Sequence, residues 1–195
     1  MEFREYQKRI IDKALEIIDI RKFIYLSMEV RTGKTLTSLG VLDKIKNINK
    51  VLFITKKKAI GSIYEDFKML KPTYELLVIN YESLHKIDER GWDAIVCDES
   101  HSMGAFPKPS KRAKQVKQLI INNNPYVIFL SGTPTPESFS QMYHQVYGLK
   151  NNPFRKYSNF YKFSKDYVLV KQKRIGSFMV NDYSLGKQEI LDKMK

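Results

Sequence analysis

Two short segments of this chain hold residue types whose spacing suits phosphate and metal chemistry. MEVRTGKT (Met28 to Thr35) ends on Gly33-Lys34-Thr35, after the apolar run FIYLS (Phe23 to Ser27) and before a helical pattern. A Gly-Lys-Thr between a strand and a helix sets backbone N–H groups, an ammonium and a hydroxyl where phosphates and Mg²⁺ need them. Gly33 lets the backbone come close, Lys34 is a point charge for the β and γ phosphates, and Thr35 is a Mg²⁺ ligand. Such a loop usually opens on a further glycine, and Met28 occupies that place. The second segment, IVCDESH, carries the apolar stretch AIVC into the adjacent carboxylates Asp98 and Glu99 and ends at His101. One carboxylate can enter a metal shell while the other orients and deprotonates water. Alone, a GKT is a helix N-terminus with a Thr near its cap, and paired acids at a strand end are commonly just solvated. Together they point to nucleoside triphosphate hydrolysis, with Lys34 and Glu99 as catalytic groups and Thr35 and Asp98 as metal ligands.

These residues need a scaffold that presents strand ends side by side. Short apolar runs predict strands at Phe23 to Ser27, Val51 to Thr55, Leu76 to Asn80, Ala94 to Asp98 and Val127 to Ser131. Ile10, Ile11, Ala14, Leu15 and Ile18 keep helical spacing within Tyr6 to Ile18. Thr35 to Lys46, Ala59 to Leu70 and Ser110 to Asn123 read as helices or helix-containing crossovers. Strands apolar on both faces and separated by helices imply an α/β fold, mainly a parallel sheet with helices on both faces. Its ligands belong at the carboxyl ends of the strands. One more helix is expected in Phe139 to Gly148. Residues 1–149 then form an ATP-binding lobe, and 150–195, rich in Tyr, Phe, Lys and Asn, an extension packed on it or leading onward.

The composition narrows the partners. The 195 residues carry a net charge of +13, and between Ser100 and Lys165 ten Lys or Arg face the single acid Glu137. That excess suits a polyanion, while a basic surface serving solubility alone is the plain alternative. No long apolar run suggests a membrane span, and the charged start MEFREYQKRIIDKAL does not read as a signal peptide, so a cytoplasmic protein of a bacterium or phage-infected cell is expected. The single cysteine, Cys97, lies in an apolar strand pattern and reads as buried, with no internal disulfide or zinc cluster available.

In the order of its motifs the chain resembles the first RecA-like, P-loop lobe of superfamily-two helicases, and most closely the Swi/Snf-type ATP-dependent DNA translocases. FREYQ (Phe3 to Gln7) is similar to that family's opening motif, EVRTGKT to its phosphate loop with Arg31 where glycine is usual, DESH to its DEAH-like box, and SGTP (Ser131 to Pro134) to its coupling motif. VINYESL (Val78 to Leu84) and VLFITKKKAIGSIYEDF (Val51 to Phe67) resemble segments that face nucleic acid, although the usual proline is Lys56 and a tryptophan is missing. The resemblance implies an ATP site of Arg4, Gln7, Thr32, Gly33, Lys34, Thr35 and Asp98, with Gln7 reading the adenine edge. It implies coupling through His101, Ser131, Gly132 and Thr133, and nucleic-acid contacts at Lys56, Asn80, Tyr81, Lys111 and Arg112. Arg31 is expected in solvent, with phosphate or a partner lobe as its functional alternative. His85 and His144 are expected to pack or lie on the surface, and the aromatics from Tyr143 to Tyr167 to pack, with base stacking as their functional alternative.

The resemblance further implies ATP and Mg²⁺ as cofactors, DNA, most simply duplex, as partner, and a second RecA-like lobe in cis or in trans. That lobe carries the arginine fingers and does not follow within this sequence, so the chain alone is expected to hydrolyse ATP weakly. The alternatives are a nucleotide-gated DNA-binding module without catalysis of its own and a plain basic nucleic-acid-binding domain.

Overall fold

The computed structural model describes residues 2–29 and 31–194, and the chain divides into two compact units: residues 1–100 with 118–132, and 101–117 with 133–195. The second unit thus takes in 133–149 together with the tail.

In the first unit, α1 (Glu5–Arg21) leads into β1 (Phe23–Ser27), followed by α2 (Lys34–Lys44), β2 (Lys50–Thr55), α3 (Ile60–Leu70), β3 (Glu75–Asn80), β4 (Ala94–Asp98) and β5 (Tyr126–Ser131). The strands form one sheet in the order β1-β5-β4-β2-β3, every pairing parallel. Parallel neighbours need covered crossovers, and the sequence meets that need with apolar residues on both faces. Val51, Phe53, Ala94, Val96, Ile128 and Leu130 share one cluster with Ile11 and Ile18 of α1 and Leu39 and Leu42 of α2. Their strand neighbours Leu52, Ile54, Ile95, Cys97, Val127 and Phe129, which alternate to the opposite face, are buried as well. Cys97 is therefore a core residue, and burial raises its thiol pKa.

The order of strands decides the site. β5 lies between β1 and β4, so the segment after β1 and the carboxylates ending β4 are two strand spacings apart, roughly 10 Å, at the same edge of the sheet. Helix α2 is pressed close to the amino-terminal segment: a Cβ on Gly40 would lie 2.6 Å from the Phe3 ring.

The second unit holds a helical and aromatic core. Helix α4 (Lys111–Asn123) begins in it, followed by α5 (Met142–Val146), α6 (Phe160–Tyr167), the antiparallel hairpin β6 (Lys171–Ile175) and β7 (Phe178–Asp182), and the short α7 (Glu189–Asp192). Phe163 is fully buried at its centre, with ring centroids of Tyr143, Phe154 and Tyr167 4.8, 5.0 and 5.1 Å away. Tyr143, Phe160, Phe163 and Tyr167 are thus packing residues, as expected, and so is the buried His144, stacked on Phe160. Sequence reasoning left α6 and the hairpin of 150–195 unassigned, although α6 buries Phe160, Phe163, Ser164 and Tyr167 at helical spacing; the helix is short, and the exposed Tyr161 between them blurs the stripe. No described helix is long and apolar enough to cross a membrane.

Candidate nucleotide-binding site

The loop after β1 is built around Gly33, which caps α2 with a left-handed backbone (φ +76°) and forces the turn into the helix. Arg31 is left-handed too (φ +67°) and its side chain is exposed. Lys34 opens α2 and its Nζ donates to the Glu29 carbonyl at 3.1 Å. That carbonyl also accepts from the Thr32 hydroxyl at 2.7 Å. Thr35 sits in the first helical turn, beside backbone N–H groups that have no partner within the helix. Met28, in the place of the usual glycine, is buried in the sheet core.

The amino-terminal motif lies directly on this loop. Gln7 is 4% exposed, and its Nε2 donates to the Gly33 carbonyl (3.5 Å) and the Thr37 hydroxyl (3.4 Å). Its Oε1 accepts from the Arg4 N–H at 3.0 Å, fixing the start of α1. Tyr6, one residue away, donates its hydroxyl to the Thr32 carbonyl at 2.7 Å. Arg4 thus stands at the entry to α1 with its side chain exposed.

Asp98 closes β4, where its Oδ2 accepts from the fully buried Thr55 hydroxyl at 2.7 Å and its Oδ1 from the Glu99 N–H at 3.0 Å. Burial raises the Asp98 pKa, opposed by the Thr55 bond, raised again by the Glu99 charge, and lowered by the Glu99 N–H and the Lys34 charge. Glu99 adopts a left-handed backbone (φ +51°), turning the chain off the strand end. Burial disfavours the charged carboxylate, and a cation beside it would favour the ionised form. Among the described residues no group of three or more His, Cys, Asp or Glu could hold a metal by itself. The Thr35 hydroxyl and the single carboxylate of Asp98 fit Mg²⁺, which commonly takes one or two protein ligands and completes its shell with phosphate oxygens and water.

Three residues here escaped sequence reasoning. Thr55 holds Asp98; its signal was a hydroxyl ending an otherwise apolar strand. The Tyr25 hydroxyl meets the Ser100 hydroxyl at 2.7 Å and bonds to Ser131, tying the ends of β1, β4 and β5. Ser100 also donates to the Leu130 carbonyl (3.4 Å). Burial raises the Tyr25 pKa, keeping it a neutral phenol. Among the coupling residues, Ser131 and Gly132 thus belong to the sheet unit, whereas His101 and Thr133 belong to the second unit.

The nucleic-acid candidates separate. Lys56 is exposed just beyond β2, and Asn80, at the end of β3, donates to Glu82 at 2.9 Å. Lys111 and Arg112 start α4 in the second unit. Tyr81 does not face outward: it is 2% exposed and its hydroxyl donates to the Asp98 carbonyl at 2.7 Å. Expected to touch nucleic acid, Tyr81 instead braces the carboxylate strand from within, because its ring fills the core under the end of β3.

A parallel sheet with a lysine-bearing loop after one strand and a caged aspartate ending another, one strand between them, defines a P-loop nucleotide-binding fold. The chain belongs to the SNF2-related domain family, whose profile matches residues 19–181. Its fold is similar to the Sulfolobus solfataricus SWI2/SNF2 ATPase core in complex with dsDNA (TM-score 0.70, 18% identity), over 86% of this chain and 39% of that one. It is also similar to a nuclease-deletion mutant of the Type ISP restriction-modification enzyme LlaGI in complex with a DNA substrate mimic (TM-score 0.52, 17% identity), over 69% of this chain and 18% of that one. This chain thus spans well under half of either. No curated protein matches the sequence.

Proposed function

We propose that this chain is the ATP-binding part of a DNA-dependent ATPase that moves along duplex DNA, completed by a second lobe in cis or in trans. The observation that carries the reading is geometric: the Gly33-Lys34 loop after β1 and the Asp98 carboxylate, held by the Thr55 hydroxyl and the Glu99 N–H, lie at the same edge of the sheet with β5 between them.

Gln7, which bonds to the Gly33 carbonyl, reports on the base while the loop holds the phosphates. Lys34 exchanges the Glu29 carbonyl for the β and γ phosphate oxygens, a neutral acceptor for a charged one. Thr35 and Asp98 would hold Mg²⁺, which would supply charge neutralisation at the phosphates. Glu99 accepts a proton from the attacking water as the γ-phosphorus–oxygen bond to ADP breaks, so ADP and phosphate leave. Tyr25, Ser100 and Ser131 connect the ends of three strands, and through them nucleotide state reaches the coupling segment. Lys56, Asn80, Lys111 and Arg112 serve the DNA. Arginine fingers contribute roughly 10³ to 10⁵ in rate where they act, so turnover by this chain alone is expected to be near basal.

The test is calorimetry of Mg-ATP and Mg-ADP at low salt, with and without duplex DNA, on the wild type, Lys34→Ala and Glu99→Gln. Binding lost in Lys34→Ala and kept in Glu99→Gln is expected. Equal binding by wild type and Lys34→Ala would refute the phosphate-loop assignment. DNA-stimulated turnover unchanged in Glu99→Gln, measured with a second lobe supplied, would refute the role of Glu99, and absence of such turnover in the wild type would leave a nucleotide-gated binding module as the better reading.

A further inference from the structure

The hairpin β6–β7 buries almost nothing, yet its tip is apolar. Ile175 and Phe178 form the last cross-strand pair around the Gly176-Ser177 turn and are 60% and 74% exposed, with Met179 beside them at 58%. A two-stranded ribbon with one bare apolar end is marginal in water, so such an end marks a surface made to be covered. The base is anchored within its own unit: the Leu169 N–H donates to the Leu185 carbonyl and the Lys187 N–H to the Tyr167 carbonyl, both at 2.9 Å. From Leu169 to Ile175 the ribbon advances roughly 20 Å at about 3.3 Å per residue.

The charges choose the occupant. Between Lys171 and Asp182 there are three cations, Lys171, Lys173 and Arg174, and one acid, Asp182. The register puts Lys171, Lys173 and Ile175 on one face, opposite Asp182, Val180 and Phe178, and Arg174 on the other face opposite Met179. Lys173 therefore stands one pleat repeat, roughly 7 Å, behind the apolar tip. An apolar end with cations set back by several ångströms on both faces matches the cross-section of a nucleic-acid groove, with stacked bases at the floor and phosphates at the rims.

We propose that the β6–β7 hairpin is a duplex-DNA wedge: Ile175 and Phe178 press against a base step, and Lys171, Lys173 and Arg174 hold the flanking phosphates. This assignment rests on the DNA-dependent reading above and adds the contact surface to it. Phe and Ile at a base step partly unstack it and bend the duplex, and each phosphate contact contributes about 0.9 to the slope of log affinity against log salt.

The experiment uses the 195-residue chain and a short duplex carrying 2-aminopurine. Binding is followed by anisotropy across a salt series and unstacking by 2-aminopurine fluorescence. The wild type is expected to raise the fluorescence on binding. Ile175→Ala/Phe178→Ala, at exposed positions that cannot unfold the core, is expected to abolish that rise while the salt slope stays. Lys171→Gln/Lys173→Gln/Arg174→Gln is expected to lower the slope by about 2.7. An unchanged slope and unchanged fluorescence in both variants, with DNA binding intact, would overturn the wedge and leave the DNA-dependent reading standing. Absence of DNA binding by the wild type would overturn both. Loss of self-association on sedimentation in the alanine variant, with DNA behaviour unaltered, would assign the tip to a second copy of the chain and overturn the wedge equally.

Discussion

Replacing Gly33 by alanine tests the joint between the loop and the amino-terminal motif. The backbone at Gly33 has φ +76°, where a Cβ costs roughly 1–2 kcal/mol. The added carbon would also lie 2.6 Å from Gln7 Nε2, a contact real structures do not tolerate, so Gln7 must move. Gln7 is anchored at its other end by the Arg4 N–H and packed at 4% exposure, so moving it disturbs the first turn of α1. For a chain of this size each kcal/mol lowers Tm by about 2–4 °C, and the backbone term alone therefore predicts a fall of about 2–8 °C in a thermal melt. Mg-ATP affinity should fall as well, and discrimination between ATP and GTP should narrow, because both loop and glutamine are displaced. The double variant Gln7→Ala/Gly33→Ala separates the two causes: the clash is relieved and the backbone strain remains, so the two single effects should not add. A Gly33→Ala protein that melts with the wild type and binds ATP equally well would refute the claim that Gln7 is seated on this glycine.

Three further outcomes follow from the geometry. Thr55→Val keeps the shape of a buried residue but leaves Asp98 Oδ2 without its donor; the expected result is a loss of about 1–2 kcal/mol in denaturant unfolding and a higher Mg²⁺ requirement for ATP binding. Thr55→Ser should restore both, and an unchanged Mg²⁺ requirement in Thr55→Val would count against the cage. Phe163→Ala removes the ring at the centre of the second unit and is expected to cost about 3–5 kcal/mol, read as loss of protease resistance there, with little effect if the aromatic cluster is loosely packed. His144 faces the Pro107 carbonyl through Nε2 at 2.9 Å, so Nε2 carries the proton, while Nδ1 is buried with no hydrogen-bond partner. Burial depresses its pKa below the usual value of about 6.5, with the Lys117 charge adding and the Pro107 bond opposing. The stability this contributes is whole above about pH 6.5 and is lost as pH falls through the depressed value, by at most ~1.4 kcal/mol per pH unit. Wild type should therefore lose more Tm between pH 7 and pH 5 than His144→Gln, and parallel curves would show that His144 does not titrate in this range.

The sheet was readable from the chain because its signals are local. Five runs of strand length, each apolar up to a polar last residue, leave little choice but a covered parallel sheet, and the structure begins each of them within a residue of where the pattern does. The proposal of Lys34, Thr35, Asp98 and Glu99 rests on equally local signals, since the loop and the strand end carry their candidate chemistry in consecutive residues. Strand order was not, because nothing in a run of valines says which neighbour it will take. Only the folded sheet sets β5 between the loop and the carboxylates, brings Gln7 onto Gly33, and turns the Tyr81 ring inward to hold the strand below Asp98. The same holds for Thr55, Tyr25 and Ser100, whose hydroxyls look unremarkable in sequence and gain a role only when crossovers bring strand ends together. The second unit marks the other limit. Its α6 does keep a helical stripe of Phe160, Phe163 and Tyr167, but over only eight residues amid further aromatics the period has little contrast, while the bare tip of its hairpin appears only once burial has been assigned in three dimensions.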